Sequence, residues 1–176
     1  KLKELCKSKN ISLFEILKDE DFLIENAHLT SMGIVNYLCS EDRIINDYNI
    51  IVFGFGYVGF KLCELLKSYN VNFSIYTNND IEKKFVKLLG YKITDFKDFG
   101  IIINTIPHNI DIDYKIFKNK RILDVASYPY GFDIERINNI DVRYEIFSNI
   151  PSKFCPNLAA NILKKYIEKN QVLIYN

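Results

Sequence analysis

Residues 50–59 read Ile50-Ile51-Val52-Phe53-Gly54-Phe55-Gly56-Tyr57-Val58-Gly59, an apolar run that breaks into glycines spaced G-x-G-x-x-G. The β-branched and aromatic run predicts a buried strand, and FKLCELLKSY behind it has helical spacing. The glycines therefore stand at a strand-to-helix turn inside a βαβ unit. There Gly54 permits a tight turn, Gly56 lets backbone approach a pyrophosphate, and Gly59 allows close packing of helix on strand. Tyr57 and Val58 open a helix whose free N–H groups and partial positive charge suit phosphate oxygens. The stretch predicts a dinucleotide site; the alternative is glycines kept only for turn geometry.

Outward from this turn, strands and helices alternate. VNFSIYT predicts a strand and DIEKKFVKLLG a helix closed by Gly90. After a short ITDFKDF segment, GIIINTIP predicts the fourth strand of the order, ended by Pro107. RILDVAS predicts a fifth, DVRYEIF a weaker last one, and FCPNLAANILKKYIEKN a closing helix with Pro156 near its first turn. The fold class is α/β: a Rossmann-like, doubly wound parallel sheet with helices on both faces. Upstream, KLKELCKSKN places Leu2, Leu5 and Cys6 on one helical face, and ISLFEIL alternates like a short strand. LKDEDFLIENAHL reads as a polar connection. A helix is expected from Thr30, with Thr30 or Ser31 as its N-cap, and SEDRIINDYN as a linker.

With 176 residues, 48% of them hydrophobic, the chain can bury the core of a globular domain. Lys+Arg 23 against Asp+Glu 22 argues against a dedicated nucleic-acid or anionic-membrane surface. No apolar run approaches the roughly 20 residues of a membrane span. Cys6, Cys39, Cys63 and Cys155 lack C-x-x-C pairing, and three sit in helix-like apolar patterns. Buried free thiols, no metal site and a reducing compartment, the cytoplasm, are expected.

Cofactor choice is read about 20 residues beyond the glycines, where an acidic residue would bind the ribose 2′-hydroxyl. This chain has Tyr76-Thr77-Asn78-Asn79 there, with Asp80 slightly late and assigned to cap the next helix. With no carboxylate placed to repel a 2′-phosphate, Thr77, Asn78 and Asn79, backed by Lys83 or Lys84, lean towards NADP over NAD. The alternative is an Asn run that serves only as a turn. Candidates for handling substrate or protons near the sheet's carboxyl edge are His108, Ser127, Tyr128, Tyr130 and Lys153. His108 could shuttle a proton, against the bland alternative of a solvated loop residue. His28 reads as a surface or cap residue, Asp124 as a buried acceptor of backbone amides, Asp133 as a helix N-cap, and Lys164 and Lys165 as solvated.

Four segments narrow the comparison: the glycine loop; Asn104-Thr105-Ile106-Pro107; Leu123 to Ser127 with Pro129, Gly131 and Asp133; and Pro151 followed by Pro156-Asn157-Leu158-Ala159-Ala160-Asn161-Ile162-Leu163. In this order and spacing they resemble the dipicolinate synthase A family. LFEILKDEDFLIENAHLTSMG resembles that family's segment joining its two domains. The resemblance implies that residues 1–28 are a remnant of an N-terminal, substrate-side domain, 29–48 a linking helix and linker, and 49–176 the NAD(P)-binding domain. It also implies that the chain, which opens without Met, is a piece of a longer protein.

The implied activity is NADP-linked oxidation of a small molecule, dihydrodipicolinate, to dipicolinate during sporulation, with a flavoprotein-like second subunit. The same resemblance places Asn104, Thr105, Ile106, Pro107 and Ser127 beside the cofactor, and Thr30, Gly131 and Ser152 at the substrate cleft. A homo-oligomer stays open. Departures are Asn78 where the family commonly has arginine, Tyr130 within a Pro-Gly-Gly turn, and Ser148-Asn149-Ile150-Pro151-Ser152 in place of a glycine-rich turn. Alternatives are another dehydrogenase, of the 2-hydroxy acid or shikimate type, and a non-catalytic dinucleotide-binding subunit.

Overall fold

The structure is a computed structural model that describes residues 1–40 and 45–172. In its sheet β1 (Asn49–Phe53) is flanked in parallel by β2 (Asn72–Tyr76) and β3 (Ile101–Asn104). β4 (Arg121–Asp124) and β5 (Arg143–Ile146) extend the sheet, giving the all-parallel order β2-β1-β3-β4-β5.

Near-continuous apolar strands are what a sheet covered on both faces demands, and the pleat divides them in two. Ile50, Val52, Ile101, Ile103 and Leu123 point to one core, shared with Ile34, Leu38, Leu62 and Leu66 of the helices α2 (Glu20–Cys39) and α3 (Tyr57–Ser68). Ile51, Phe53, Ile102 and Ile122 point to the other, which is rich in aromatic rings. There Phe53 meets Tyr76, Phe96, Phe117 and Phe132 at ring separations of 4.6–6.2 Å. Such pairs contribute about 0.5–1.5 kcal/mol each beyond area burial, so the last residue before the glycine turn is firmly held.

The remaining helices are α1 (Leu2–Ser8), α4 (Asp80–Leu88), α5 (Ile134–Asn138), α6 (Ile150–Phe154) and α7 (Pro156–Val172). The closing helix thus starts at Pro156 as its sequence suggests, and Gly90 ends α4 with φ +72°.

Several local expectations are corrected. ISLFEIL forms no strand; Ile11, Leu13 and Phe14 are exposed without a pairing edge, and only a 3-10 turn appears at Ile16–Lys18. α2 begins at Glu20, ten residues before Thr30: Asp19 accepts from the Phe22 N–H, and Glu20 and Asp21 favour the positive end of the helix. Thr30 and Ser31 are therefore interior, their hydroxyls donating to the carbonyls of Asn26 and Ala27. ITDFKDF contributes a single bridge, Ile75 to Ile93, so the third strand of the doubly wound order shrinks to one contact and GIIIN is third in the observed sheet. Asn79, not Asp80, caps α4. Of the cysteines only Cys63 is buried; Cys39 is exposed, and Cys6 and Cys155 are half-buried. Residues 41–44 of the expected linker lie outside the described residues. Among the described residues no helix is long and apolar enough to cross a membrane.

Candidate functional site at the carboxyl edge of the sheet

β1 ends at Phe53, and Gly54 turns the chain with φ +91°, a conformation that costs a side-chain-bearing residue dearly. Space is also lacking: a Cβ on Gly54 would lie 2.6 Å from Thr105 Oγ1 and 2.9 Å from Ile106 Cγ1. Thr105 stitches β3 to β1 by donating from Oγ1 and N to the Phe53 carbonyl, at 2.7 and 2.9 Å. A Cβ on Gly59 would collide with the Gly54 carbonyl, so α3 rests directly on the turn. Gly56 differs. It is the N-cap of α3, no side chain caps the helix there, and a Cβ would meet nothing within 4 Å. The first-turn N–H groups of α3 thus look for acceptors outside the helix, beside open space.

That space is a cavity of about 370 Å³ at the point where the connections from β1 and β3 diverge. It gathers Gly54, Gly56, Thr77, Asn78 and Asn79 with Thr105, Ile106, Pro107 and His108. A larger hollow of about 830 Å³ lies at the opposite edge, against Asn49, Ile101, Arg121 and Arg143. Ligands of open parallel sheets sit outside the carboxyl ends of strands at the topological switch, so the smaller cavity is the candidate.

Other expected residues support the cavity from below or lie away from its lining. Asn104, fully buried, donates from Nδ2 to Asp124 Oδ1 at 2.8 Å and to the Ile106 carbonyl at 3.1 Å, while its Oδ1 accepts from the Ile106 N–H. Asp124 also accepts from the N–H groups of Ala126 and Gly131 and from the Tyr144 hydroxyl. Burial raises the Asp124 carboxyl above its ordinary range, partly offset by hydrogen bonds led by Asn104; burial and then the Asp124 charge push the Tyr144 hydroxyl up. The expectation that Asp124 accepts backbone amides is met. Gly131 is needed because a Cβ there would run into the Asn104 amide.

Ser127 is exposed, its carbonyl accepting from the Tyr130 N–H. Tyr130 holds φ +71°, a left-handed conformation rare for a bulky residue, with its ring 5.8 Å from Tyr128. Asn149 takes φ +57° before α6, so an asparagine supplies a left-handed turn at which glycine is favoured. Thr30 is buried in α2, and Ser152 donates to the Asn149 carbonyl; neither lines the cavity. Asp133 caps α5 as expected, His28 is exposed, and Lys153 lies 5.6 Å over the Phe147 ring. Lys164 and Lys165, expected to be solvated, are exposed but paired with Glu168 and Glu25.

The cavity also contains a carboxylate where the sequence indicated none. Glu82, in the first turn of α4, accepts at Oε2 from the Phe55 N–H at 3.1 Å and from Thr77 Oγ1 at 2.5 Å. Asn109 and Asp111 also line the cavity. The sequence signal for Glu82 was its position three residues beyond the N-cap Asn79.

A parallel sheet with a glycine turn under an uncapped helix, open at the switch point, is the Rossmann-like fold in which dinucleotides bind. No model of a known protein family matches the chain, and no curated protein matches it by sequence. Solved structures do. Dipicolinate synthase A from Bacillus halodurans aligns with a TM-score of 0.82 at 20% identity over 96% of this chain. Dipicolinate synthase A from Bacillus subtilis aligns at 0.86 and 22% identity over 99%. A transhydrogenase from Sinorhizobium meliloti aligns at 0.60 and 14% identity, covering 84% of this chain and 55% of its own. The chain spans 62% of the length of each dipicolinate synthase chain. The resemblance drawn from sequence therefore holds as a resemblance of fold over nearly the whole chain.

Proposed function

We propose that the chain is the dinucleotide-binding part of an NAD(P)-dependent oxidoreductase of the dipicolinate synthase A type, acting in the cytoplasm during sporulation. The observation that carries the proposal is the open backbone of Gly56 beside the uncapped amino end of α3, at the switch between β1 and β3. Gly54 and Gly59 shape that cradle, and a Cβ-free approach at Gly56 fits a diphosphate. Residues 49 onward form the binding unit. In it Gly56, Tyr57 and Val58 hold the diphosphate, and Thr77, Asn78 and Asn79 border the adenosine ribose. Thr105, Ile106 and Pro107 border the nicotinamide end, with Asn104 bracing them from beneath and Ser127 beyond the lining.

When bound, the nicotinamide accepts a hydride. The chain's own residues would exclude water and move a proton. Oxidising dihydrodipicolinate releases a hydride and a proton as the ring becomes aromatic, and His108, exposed in the cavity lining, would pass that proton to solvent. Thr30, Gly131 and Ser152 lie towards the substrate side without lining the cavity, and a flavoprotein-like second subunit takes part in the same reaction. The reading is tested by NADH and NADPH fluorescence titration, then by turnover of dihydrodipicolinate with NAD or NADP, with and without such a subunit. No binding at millimolar dinucleotide would end it. A second reading, a non-catalytic dinucleotide-binding subunit, is favoured by the strained Tyr130, which replaces a flexible glycine at the catalytic edge. Tight binding without turnover under every condition would select it.

A further inference from the structure

We propose that Glu82 makes this cavity select a dinucleotide with a free ribose 2′-hydroxyl, NAD rather than its 2′-phosphorylated counterpart. The inference rests on the dinucleotide reading above and deepens it.

The spacing of Asn79 and Glu82 is that of a capping box, in which the acidic side chain returns to the N-cap N–H. Half of the box forms: Asn79 Oδ1 accepts from the N–H groups of Ile81 and Glu82, at 2.9 and 3.3 Å. The other half does not. The Asn79 N–H goes to Thr77 Oγ1 at 3.1 Å, and the Glu82 carboxylate crosses to the glycine loop. Oε2 is held by the Phe55 N–H, between the first two glycines, and by the Thr77 hydroxyl at the end of β2. A carboxylate from the following helix thus reaches the place that a strand-end acid occupies in NAD sites. Oε1 has no hydrogen-bond partner among the described residues, and Glu82 lines the cavity.

The chemistry of the two ligands differs at this point. A ribose diol donates hydrogen bonds, which a carboxylate accepts. A 2′-phosphate is an acceptor carrying roughly two negative charges and would face Glu82 with no donor. Against that charge the cavity wall sets the neutral amides of Asn78, Asn79 and Asn109 and the imidazole of His108. Its lining contains no Lys or Arg among the described residues, and adds a second carboxylate, Asp111. Lys83, offered by the sequence as a phosphate partner, is paired with Asp80 at 2.9 Å, and Lys84 is exposed outside the lining. The proposal thus departs from the sequence lean towards NADP.

The test is fluorescence titration of the 176-residue chain with NADH and NADPH, in wild type, Glu82→Gln and Thr77→Val, at low and high salt. Wild type should bind NADH at least about 30-fold more tightly than NADPH at low salt, like-charge juxtaposition being costly, and the ratio should shrink at high salt. Glu82→Gln keeps an amide oxygen for both loop donors and should bring the ratio within about threefold, mainly by tightening NADPH. Thr77→Val loses one anchor of the carboxylate but not its charge, so NADH should weaken while the preference and its salt dependence persist. NADPH binding as tightly as NADH in wild type, or an unchanged ratio in Glu82→Gln, overturns this inference alone. Failure of both dinucleotides to bind any variant overturns the underlying dinucleotide reading, and this inference with it.

Discussion

Adding one methyl group at Gly56 or at Gly59 should give opposite phenotypes, although the two glycines belong to one turn. Gly56 has φ −73° and ψ −164°, extended backbone that alanine adopts. Its built Cβ meets nothing within 4 Å. Exchanging an N-cap glycine for alanine costs about 0.5–1 kcal/mol, and the stiffer unfolded chain returns about 0.4–1 kcal/mol. Net stability should stay within about 0.5 kcal/mol, or about 2 °C in Tm for a domain of this size. Gly59→Ala instead drives a methyl into the Gly54 carbonyl, with the Gly54 carbonyl carbon at 2.9 Å and Thr105 Oγ1 at 3.2 Å. The Gly54 backbone is fixed by its left-handed turn and by a 2.8 Å bond from its N–H to the Tyr76 carbonyl, so relief must come from lifting α3. Overpacking of this kind costs about 1–3 kcal/mol, a fall of roughly 3–10 °C. Thermal melts by circular dichroism measure both. NADH titration of the folded Gly56→Ala variant should show affinity reduced on the order of 10- to 100-fold, because the methyl occupies the diphosphate's approach. A variant that melts like wild type and binds NADH undiminished would refute the placement of the diphosphate over Gly56.

Asp124→Asn turns one of two double-accepting oxygens into a donor facing existing donors; urea unfolding should show a loss of about 2–4 kcal/mol, and a neutral result would mean the network under the cavity is not formed. Tyr130→Gly should relieve about 1 kcal/mol of left-handed strain and raise Tm by roughly 2–4 °C; a lower Tm would mean that its side-chain packing outweighs the strain. Lys169 joins α7 to α2 through Asp19 at 2.8 Å and Asp21 at 3.0 Å. The Lys169 bond, then the Phe22 N–H, hold Asp19 below its usual range, and the same carboxylates raise Lys169. This clasp should be fully formed from about pH 4 to about pH 10, lost in acid as pH falls through the lowered Asp19 value and in alkali as it rises through the raised Lys169 value. Asp124, raised by burial, has the opposite sign: its contribution is greatest below about pH 4 and is lost as pH rises through its folded value. Lys169→Met should therefore lower stability at neutral pH and converge on wild type in strong alkali; parallel profiles in urea titrations would contradict the clasp.

What could be read from the sequence was what is encoded locally. The glycine turn, the three buried strands around it and the Gly90 stop depend on short-range periodicity and backbone freedom, and they stand in the structure as expected. The start of α2 is hidden by an acidic run that resembles a solvated connection, although Asp19 with Glu20 and Asp21 is itself the mark of a helix start. ISLFEIL has strand alternation, but a strand exists only where a neighbouring edge accepts it, and none does here. The site was harder to read. Asn104 and Asp124 were singled out, yet their role emerges only when Gly131 and Tyr144 arrive from distant segments to complete the hydrogen bonds. Glu82 is hidden in the sequence because its partner Phe55 is 27 residues away and no periodicity marks a side chain that leaves its own helix cap.

The most direct measurement is a crystal structure of the chain grown with saturating NADH. Diphosphate oxygens should lie within hydrogen-bond distance of the main-chain N–H groups at Gly56, Tyr57 or Val58, with the adenosine ribose against Glu82. A dinucleotide seated instead in the larger hollow beside Arg121 and Arg143, with the amino end of α3 untouched, would contradict the account.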